Sequence, residues 1–303
     1  MIELTDTNSS QIAAEFVRGR IQAGSPAMGM VMTLIVVVGE NDAADAMDAA
    51  QEASHEHPAR VLGVILGDAR GAPHVDAQVG IGQGWAGETA LIRLRGEVVK
   101  HPESVVLPLL LPDSPVVAWW PSDHPPDPAA DPLGRLARRR ITDTAFVSRG
   151  KVKALHVQCE AYAPGNTDLA WTRITPWRAL LAAALDQHPL RVRRVTVAAE
   201  RISPSADLLL AWLAERLRVP AERRSSRGPG ITEVVLETAD GEIRIARGDG
   251  KLAVFSSPGQ PDRPVALKRR GLPALLAEEL RWSDADDIYA AVTKRLLKMA
   301  APA

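Results

Sequence analysis

The sequence predicts an α/β protein, α+β overall. An N-terminal βαβ-type mixed sheet with helices is followed by a second α+β domain, which has an antiparallel meander and C-terminal helices. Three observations carry this prediction. "MVMTLIVVV" and "RVLGVILG" are continuous apolar runs of strand length, the mark of strands buried on both faces. Between them "NDAADAMDAAQEAS" reads as a helix, so strand, helix and strand form a βαβ unit with a partly parallel sheet. Later, "ITEVVLETADGEIRIARGDGKLAVFSS" alternates apolar and polar through three strands. They are joined by Ala239-Asp240-Gly241 and Gly248-Asp249-Gly250, the strongest hairpin signal in the chain.

The elements follow in order. Residues 9–23 form an amphipathic helix with Ile12, Phe16, Val17 and Ile21 on one face, ended by Gly24-Ser25-Pro26. Asn41 or Asp42 is the N-cap of the next helix, with acids in its first turn. "TALIRLRGEVV" alternates as a half-solvated strand, "ESVVLPLLL" is a short apolar helix, and "SPVVAWW" is a short strand stopped by Pro121. "PSDHPPDPAADP" holds five prolines in twelve residues and is expected to be a long stiff loop. Thr175 caps a helix with Pro176 at its first position, burying Trp177, Leu180, Leu181, Ala184 and Leu185. "LRVRRVTVAA" is a strand. Ser203 and Pro204 open a helix that ends before Pro220, and "RRSSRGPG" is a charged loop. Two helices close the chain. The second has capping-box spacing at Ser283 and Asp286 and a buried side of Ile288, Val292, Leu296 and Met299. A boundary near residue 165 divides an N-terminal domain, 1–165, from a C-terminal one, 166–303.

Composition excludes several classes of function. Hydrophobic residues make up 46% of the 303 and charged residues 24%, enough for real cores in two domains. The formal net charge of −1 removes the bulk attraction of a general nucleic-acid binder. Cys159 is the single cysteine, so no internal disulfide can form, and it reads as a small buried hydrophobe. "MIELTDTNSS" lacks the basic and apolar regions of a secretory signal, and the longest apolar run falls short of a bilayer span. The expected location is cytoplasmic, with no membrane partner.

Catalytic motifs are poorly represented. "GQGWAG", Gly82 to Gly87, spells a dinucleotide fingerprint, but the segment after it alternates like a strand where a helix is required. At the first strand-to-helix turn Glu40, Asp42 and Asp45 would repel a phosphate. His55 and His57 in "SHEHP" stand two apart and share no helical face. There is no HExxH, CxxC, G-x-S-x-G or phosphate loop. No catalytic residue, metal site or cofactor is expected.

What stands out is tryptophan and arginine. Seven of the twelve aromatic residues are tryptophan. "VVAWWPSDHPPDPAADPLGRLARRRITD" sets Trp119 and Trp120 before Arg138, Arg139 and Arg140, and "DLAWTRITPWR" holds Asp168, Trp171, Arg173, Trp177 and Arg178. Adjacent strand residues point to opposite faces, so one tryptophan of the first pair is expected in the core and the other outside it. At least two of the three arginines should point away from any core. Trp and Arg are the residues most enriched at binding hot spots. The ten residues together form the candidate surface for a protein partner or an anionic metabolite. The bland reading, core tryptophans and a solvated basic edge, stays open.

The two long motifs, "VVAWWP…DPLGRLARRRITD" and "DLAWTRITPWRALLAAALD", resemble the OpcA family, the glucose-6-phosphate dehydrogenase assembly proteins of actinobacteria and cyanobacteria. The likeness extends through most of the chain. It implies a non-enzymatic effector that binds glucose-6-phosphate dehydrogenase and favours its assembly or active state, feeding NADPH production in the oxidative pentose phosphate pathway. It supplies no catalytic residues. Cyanobacterial members are associated with thiol control, and with Cys159 alone an internal dithiol switch is excluded here. The competing reading is a sensor or enzyme that binds a sugar phosphate or nucleotide, with the arginines as phosphate forks. A nucleic-acid binder, stacking bases on Trp, is opposed by the balanced charge.

Overall fold

The computed structural model describes residues 1–23, 29–81, 87–187, 190–248 and 251–300. In chain order the first part runs β1 (Ile2–Leu4), α1 (Ser9–Ala23), β2 (Met32–Val38), α2 (Ala43–Ser54), β3 (Ala59–Leu66), β4 (His74–Ile81), β5 (Glu88–Arg95), α3 (Pro102–Val106), β6 (Val116–Trp119) and β7 (Arg139–Thr142). Then come α4 (Lys151–Glu160), β8 (Asn166–Asp168), α5 (Leu169–Thr172), α6 (Thr175–Gln187), β9 (Val192–Ala199), α7 (Pro204–Leu217) and β10 (Ala221–Ser225). The meander is β11 (Ile231–Thr238), β12 (Glu242–Ala246), β13 (Leu252–Ser256) and β14 (Arg263–Ala266), followed by α8 (Leu272–Leu280) and α9 (Asp287–Ala300). The α+β class read from the sequence is the class of the fold.

These elements make two compact units, each assembled from three stretches of chain. The first is Met1–Asp143, Gly165–Thr167 and Leu272–Ala285. The second is Thr144–Pro164, Asp168–Gly271 and Asp286–Ala303.

The first unit holds an eight-stranded sheet in the order β1-β4-β5-β3-β2-β6-β7-β8. The pairings β5–β3, β3–β2, β2–β6 and β6–β7 are parallel, while β4 pairs β5 and β1 pairs β4 antiparallel. β2 and most of β3 are buried on both faces, as their unbroken apolar sequences require. On one face Ile12 and Phe16 of α1 pack with Ile35, Val37, Leu62, Val64, Ile92 and Leu94. On the other, α2 covers β2 and β3, and α8 packs on α2. α1 is pinned by charge as well. Arg60 lies 4.8 Å over the Phe16 ring and pairs with the buried Glu88 at 2.5 Å, and Arg20 meets the same carboxylate.

The second unit holds a six-stranded sheet, β10-β9-β11-β12-β13-β14. β9 and β10 are parallel across the α7 crossover, and the rest is antiparallel. Val195, Val197, Val234, Leu236, Ile243, Ile245 and Phe255 face Leu208, Leu209, Val292 and Leu296 in one core. The Ser203 side chain accepts from the Ala206 backbone N–H with Pro204 at the first helical position, as the sequence predicted.

Several local expectations need correction. Val17 and Ile21 are exposed, because the stripe of α1 that meets the sheet is only as wide as Ile12 and Phe16. Asp42 makes no side-chain cap bond; a 3₁₀ turn, Glu40–Asp42, precedes α2, and the Asp42 carboxylate accepts from Ser122 Oγ instead. The alternating strand stops at Arg95, and Gly96–Lys100 form a 3₁₀ turn. The apolar helix breaks into α3 and a 3₁₀ turn, Leu107–Leu109, where Pro108 lacks a donor. Arg223 to Ser225 complete β10; an edge strand with polar side chains carries no apolar alternation to announce it. Asp286 alone caps α9, accepting from the backbone N–H of Ile288 and Tyr289. Ile288 and Met299 are partly exposed, and Tyr289, Val292, Thr293 and Leu296 are buried, a rotation of about one residue. Leu180 and Leu185 are only partly buried on α6. The Gly24-Ser25-Pro26 stop and the Gly248-Asp249-Gly250 turn fall wholly or partly outside the described residues.

The proline-rich loop is irregular up to a 3₁₀ turn at Gly134–Leu136, and it packs over Trp120. Gly134 makes that packing possible: a Cβ there would sit 1.8 Å from the Pro128 carbonyl oxygen and 3.2 Å from Trp120 Cη2. Gly134→Ala is therefore expected to cost about 1–3 kcal/mol through overpacking. Thermal melting checks this, and an unchanged midpoint would contradict the close packing.

Candidate functional site

The first Trp/Arg segment lies in the first unit. Trp119 is 0% and Trp120 2% exposed, so neither faces solvent. The alternation argument was right about opposite faces and wrong about what lies on them. β6 is an interior strand, flanked by β2 and β7, in a sheet covered on both sides. Trp120 joins the core with Leu133 and Ala137, and Trp119 is the register partner of Val36.

Arg139 and Arg140 open the strand β7, and Arg138 directly precedes it. Arg139 and Arg140 are buried in β7, and Arg138 alone of the three is open, its side chain 62% exposed. Arg139 reaches α8, with Nη2 donating to Glu279 Oε2 at 2.5 Å and Nη1 to the Asp284 carbonyl at 2.5 Å. Both partners of that ion pair are nearly inaccessible. Arg138 meets the Asp284 carboxylate at 2.6 Å. Arg140 donates through Nε to Asn166 Oδ1 at 2.5 Å and through Nη1 to the Ala137 carbonyl at 2.8 Å. Its backbone N–H reaches the Gly165 carbonyl, which seats β8 beside β7. Gly165 has φ +91°, and a Cβ there would stand 2.3 Å from the Arg138 carbonyl oxygen, so a side chain is doubly disfavoured.

The second segment lies in the second unit. Asp168 is fully buried at the start of α5, accepting from the Ala170 N–H at 2.8 Å and from the backbone and hydroxyl of Thr144. Trp171 is buried, and its indole N–H donates to Asp286 Oδ2 at 2.8 Å, the same carboxylate that caps α9. Its ring sits 5.6 Å from Tyr289, which in turn meets Tyr162 edge-on at 6.0 Å. The Arg178 guanidinium lies 3.7 Å over Trp171 and donates to Thr175 Oγ1. Trp177 is buried under Arg247, which donates to the carbonyls of Leu267 and Ile231. Arg173 is half-buried and lies 5.0 Å over Phe146.

The sequence did not single out the partners Glu279, Asp286, Arg247 and Phe146. The first three gave no local signal, because each becomes meaningful only through a residue far along the chain. Phe146 could have been found as one of only three phenylalanines, placed in a run of cations.

The parallel strands place one more position of interest. β3, next in the chain, lies on one side of β2, and β6, reached only after β5 and α3, lies on the other, which makes the ends of β2 and β6 the usual ligand crevice of such sheets. Here that position is acidic. Glu40 is bound by Arg93, whose hydrogen bond holds its carboxyl below the usual range, and Asp42 and Asp45 stand at the start of α2. A phosphate would meet repulsion there. "GQGWAG" lies outside the described residues except for Gly87. Among the described residues no cluster of three or more His, Cys, Asp or Glu side chains could hold a metal ion. No described helix is long and apolar enough to cross a membrane. Cys159 is buried in α4, and burial pushes its thiol up to about 12, aided by Asp168.

These features define an α+β protein of two compact units in which tryptophan and arginine knit each unit together. The chain belongs to the OpcA glucose-6-phosphate dehydrogenase assembly family. The family model described as the glucose-6-phosphate dehydrogenase subunit N-terminal domain matches residues 50–159, and the one described as the C-terminal domain matches residues 164–293. No curated protein matches the chain closely enough to count as a relative. Among solved structures, an oxidoreductase from Sinorhizobium meliloti is similar at 12% identity and a TM-score of 0.46, over 88% of this chain and 95% of that one. A mutant of KijD10, a 3-ketoreductase from Actinomadura kijaniata, is similar at 9% identity and 0.45, over the same shares. Likeness this remote says nothing of activity.

Two outcomes follow from the geometry. Arg139→Ala strands the buried Glu279 carboxylate and should cost about 3–5 kcal/mol, whereas Arg139→Met with Glu279→Leu should restore most of it. Urea unfolding of the two variants checks this; a near-neutral single variant would contradict the buried pair. Cys159, with a thiol near 12, is only about one part in ten thousand thiolate at pH 8, so alkylation should be slow in the native protein and fast in denaturant. Rapid native labelling would show the thiol to be open.

Proposed function

We propose that the protein is a non-catalytic assembly factor and allosteric activator of glucose-6-phosphate dehydrogenase, promoting its active oligomer in the oxidative pentose phosphate pathway of the cytoplasm. The observation that carries this reading is the family match over both halves of the chain. Activation in physical terms is differential affinity: the scaffold binds the active state of the dehydrogenase more tightly than its other states. A tenfold shift in population takes about 1.4 kcal/mol of difference. A folded protein supplies that through a rigid surface; buried ion pairs brace the first unit, and edge-on and tilted aromatic contacts with a guanidinium over Trp171 brace the second.

The alternative, a sugar-phosphate or nucleotide sensor or enzyme, draws less support. Its phosphate forks were to be Arg138, Arg139, Arg140, Arg173 and Arg178. Arg139 is engaged by Glu279, Arg140 by Asn166, and Arg178 lies flat on Trp171. The acidic start of α2 counts against a nucleotide at the end of β2. Of the ten residues first proposed as the contact surface, Arg138, Arg173 and Arg178 keep some exposure and remain candidates, while the tryptophans and Asp168 support them from within.

The test is an assay of NADPH formation by the purified cognate dehydrogenase with and without this protein, paired with sedimentation of the mixture. A rise in rate with a shift toward a larger species is expected, unaltered by dithiothreitol and by Cys159→Ser, and the protein alone should oxidise no glucose 6-phosphate. No change in rate or sedimentation would refute the reading.

A further inference from the structure

We propose that the stretch Phe146–Lys153 is the knob by which this protein engages an acidic surface of its dehydrogenase partner. The inference rests on the reading above and adds the contact site. "FVSRGKVK" carries Arg149, Lys151 and Lys153, and no acidic residue occurs between Asp143 and Glu160. Phe146 is 63% exposed, the aromatic ring of the second unit most open to solvent. It does not dangle: the Arg173 guanidinium stands 5.0 Å from its centroid and the Lys151 ammonium 6.0 Å. An aromatic ring held out in water between two cations is the kind of preorganised anchor that binding hot spots use.

The charges point the same way. Some surface cations are matched by acids, as in Arg93–Glu40, Arg138–Asp284, Arg244–Glu233 and Arg281–Glu56, while others, such as Arg191, Arg193, Lys268 and Arg269, are not matched among the described residues; what sets the knob apart is the exposed ring beside its cations. Among the described residues Arg149, Lys151 and Lys153 form no salt bridge. Two of them fall in the first turn of α4, which holds no acid, and the capping residue, Gly150 at φ +65°, offers no side chain. Positive charge at the positive end of a helix is locally unfavourable, and a facing carboxylate relieves it. The complementary surface is therefore acidic, with an apolar recess for the Phe146 ring, and a protein surface provides both. A second apolar patch of this unit, Leu252 and Val254 on β13 beside Pro264 and Ala266 on β14, has no exposed aromatic ring and serves as the control.

The experiment titrates the purified dehydrogenase with wild-type protein and with three variants whose thermal melts match it: Phe146→Ala, the triple Arg149→Glu/Lys151→Glu/Lys153→Glu, and the control Leu252→Lys/Val254→Lys. Phe146→Ala should weaken binding about thirtyfold and the triple variant more, while the control binds like wild type. Wild-type affinity should fall as salt rises toward about 0.5 M, and the triple variant should lose that dependence. If the triple variant itself melts early, Lys151→Gln/Lys153→Gln should give a smaller loss in the same direction. Unchanged affinity in the knob variants, or loss only in the control, would overturn the site while leaving the assembly reading intact. No binding by the wild type would overturn both.

Discussion

A guanidinium buried against a carboxylate 140 residues away in sequence sets the architecture of the first unit. Neither Arg139 nor Glu279 could stay charged and buried alone, since the desolvation penalty of a lone ion in the interior is several kcal/mol. Each therefore requires the other, and the requirement brings α8 back from the far end of the chain to the sheet that the first 143 residues build. Beside it Arg138 donates to the Asp284 carboxylate, and Arg139 donates also to the Asp284 carbonyl. The first unit is complete only when Leu272–Ala285 is in place, so the border between the two family-model matches is not the border between the two units.

The same logic explains why the chain concentrates tryptophan and arginine. A planar guanidinium can satisfy several acceptors from one buried position and can lie flat on an indole. Arg140 closes β8 onto β7, Arg178 covers Trp171, and Arg247 covers Trp177 while tying two carbonyls of the meander. Asp286 does double duty, receiving the Trp171 indole and capping α9. These are internal functions. Surface recognition is assigned instead to the cations before and into α4, which lie beside the exposed Phe146 ring.

How much of this was legible depended on distance along the chain. Periodicity and caps are local, so the βαβ front, the meander and the start of α7 could be read directly. β10 could not, because an edge strand made of arginine and serine has no apolar pattern. The Trp119-Trp120 pair was misread because its environment depends on β7, which spells Arg139-Arg140 and looks like surface until its partners Glu279 and Asn166 are known. At the end of β2 the acids Glu40, Asp42 and Asp45 were legible directly, being local to one turn of the sequence. Phe146 had a sequence signal, a rare phenylalanine in a run of cations, but its exposure is seen only in the structure.

Hydrogen exchange, followed residue by residue through the native state, tests the central claim most directly: that α8 is an integral part of the first unit. If Arg139 and Glu279 bind it there, the amides of 275–280 should become exchangeable in the same cooperative opening as those of β6 and β7, with the same free energy and the same denaturant dependence. Independent, earlier opening of α8, with β6 and β7 still protected, would contradict the account.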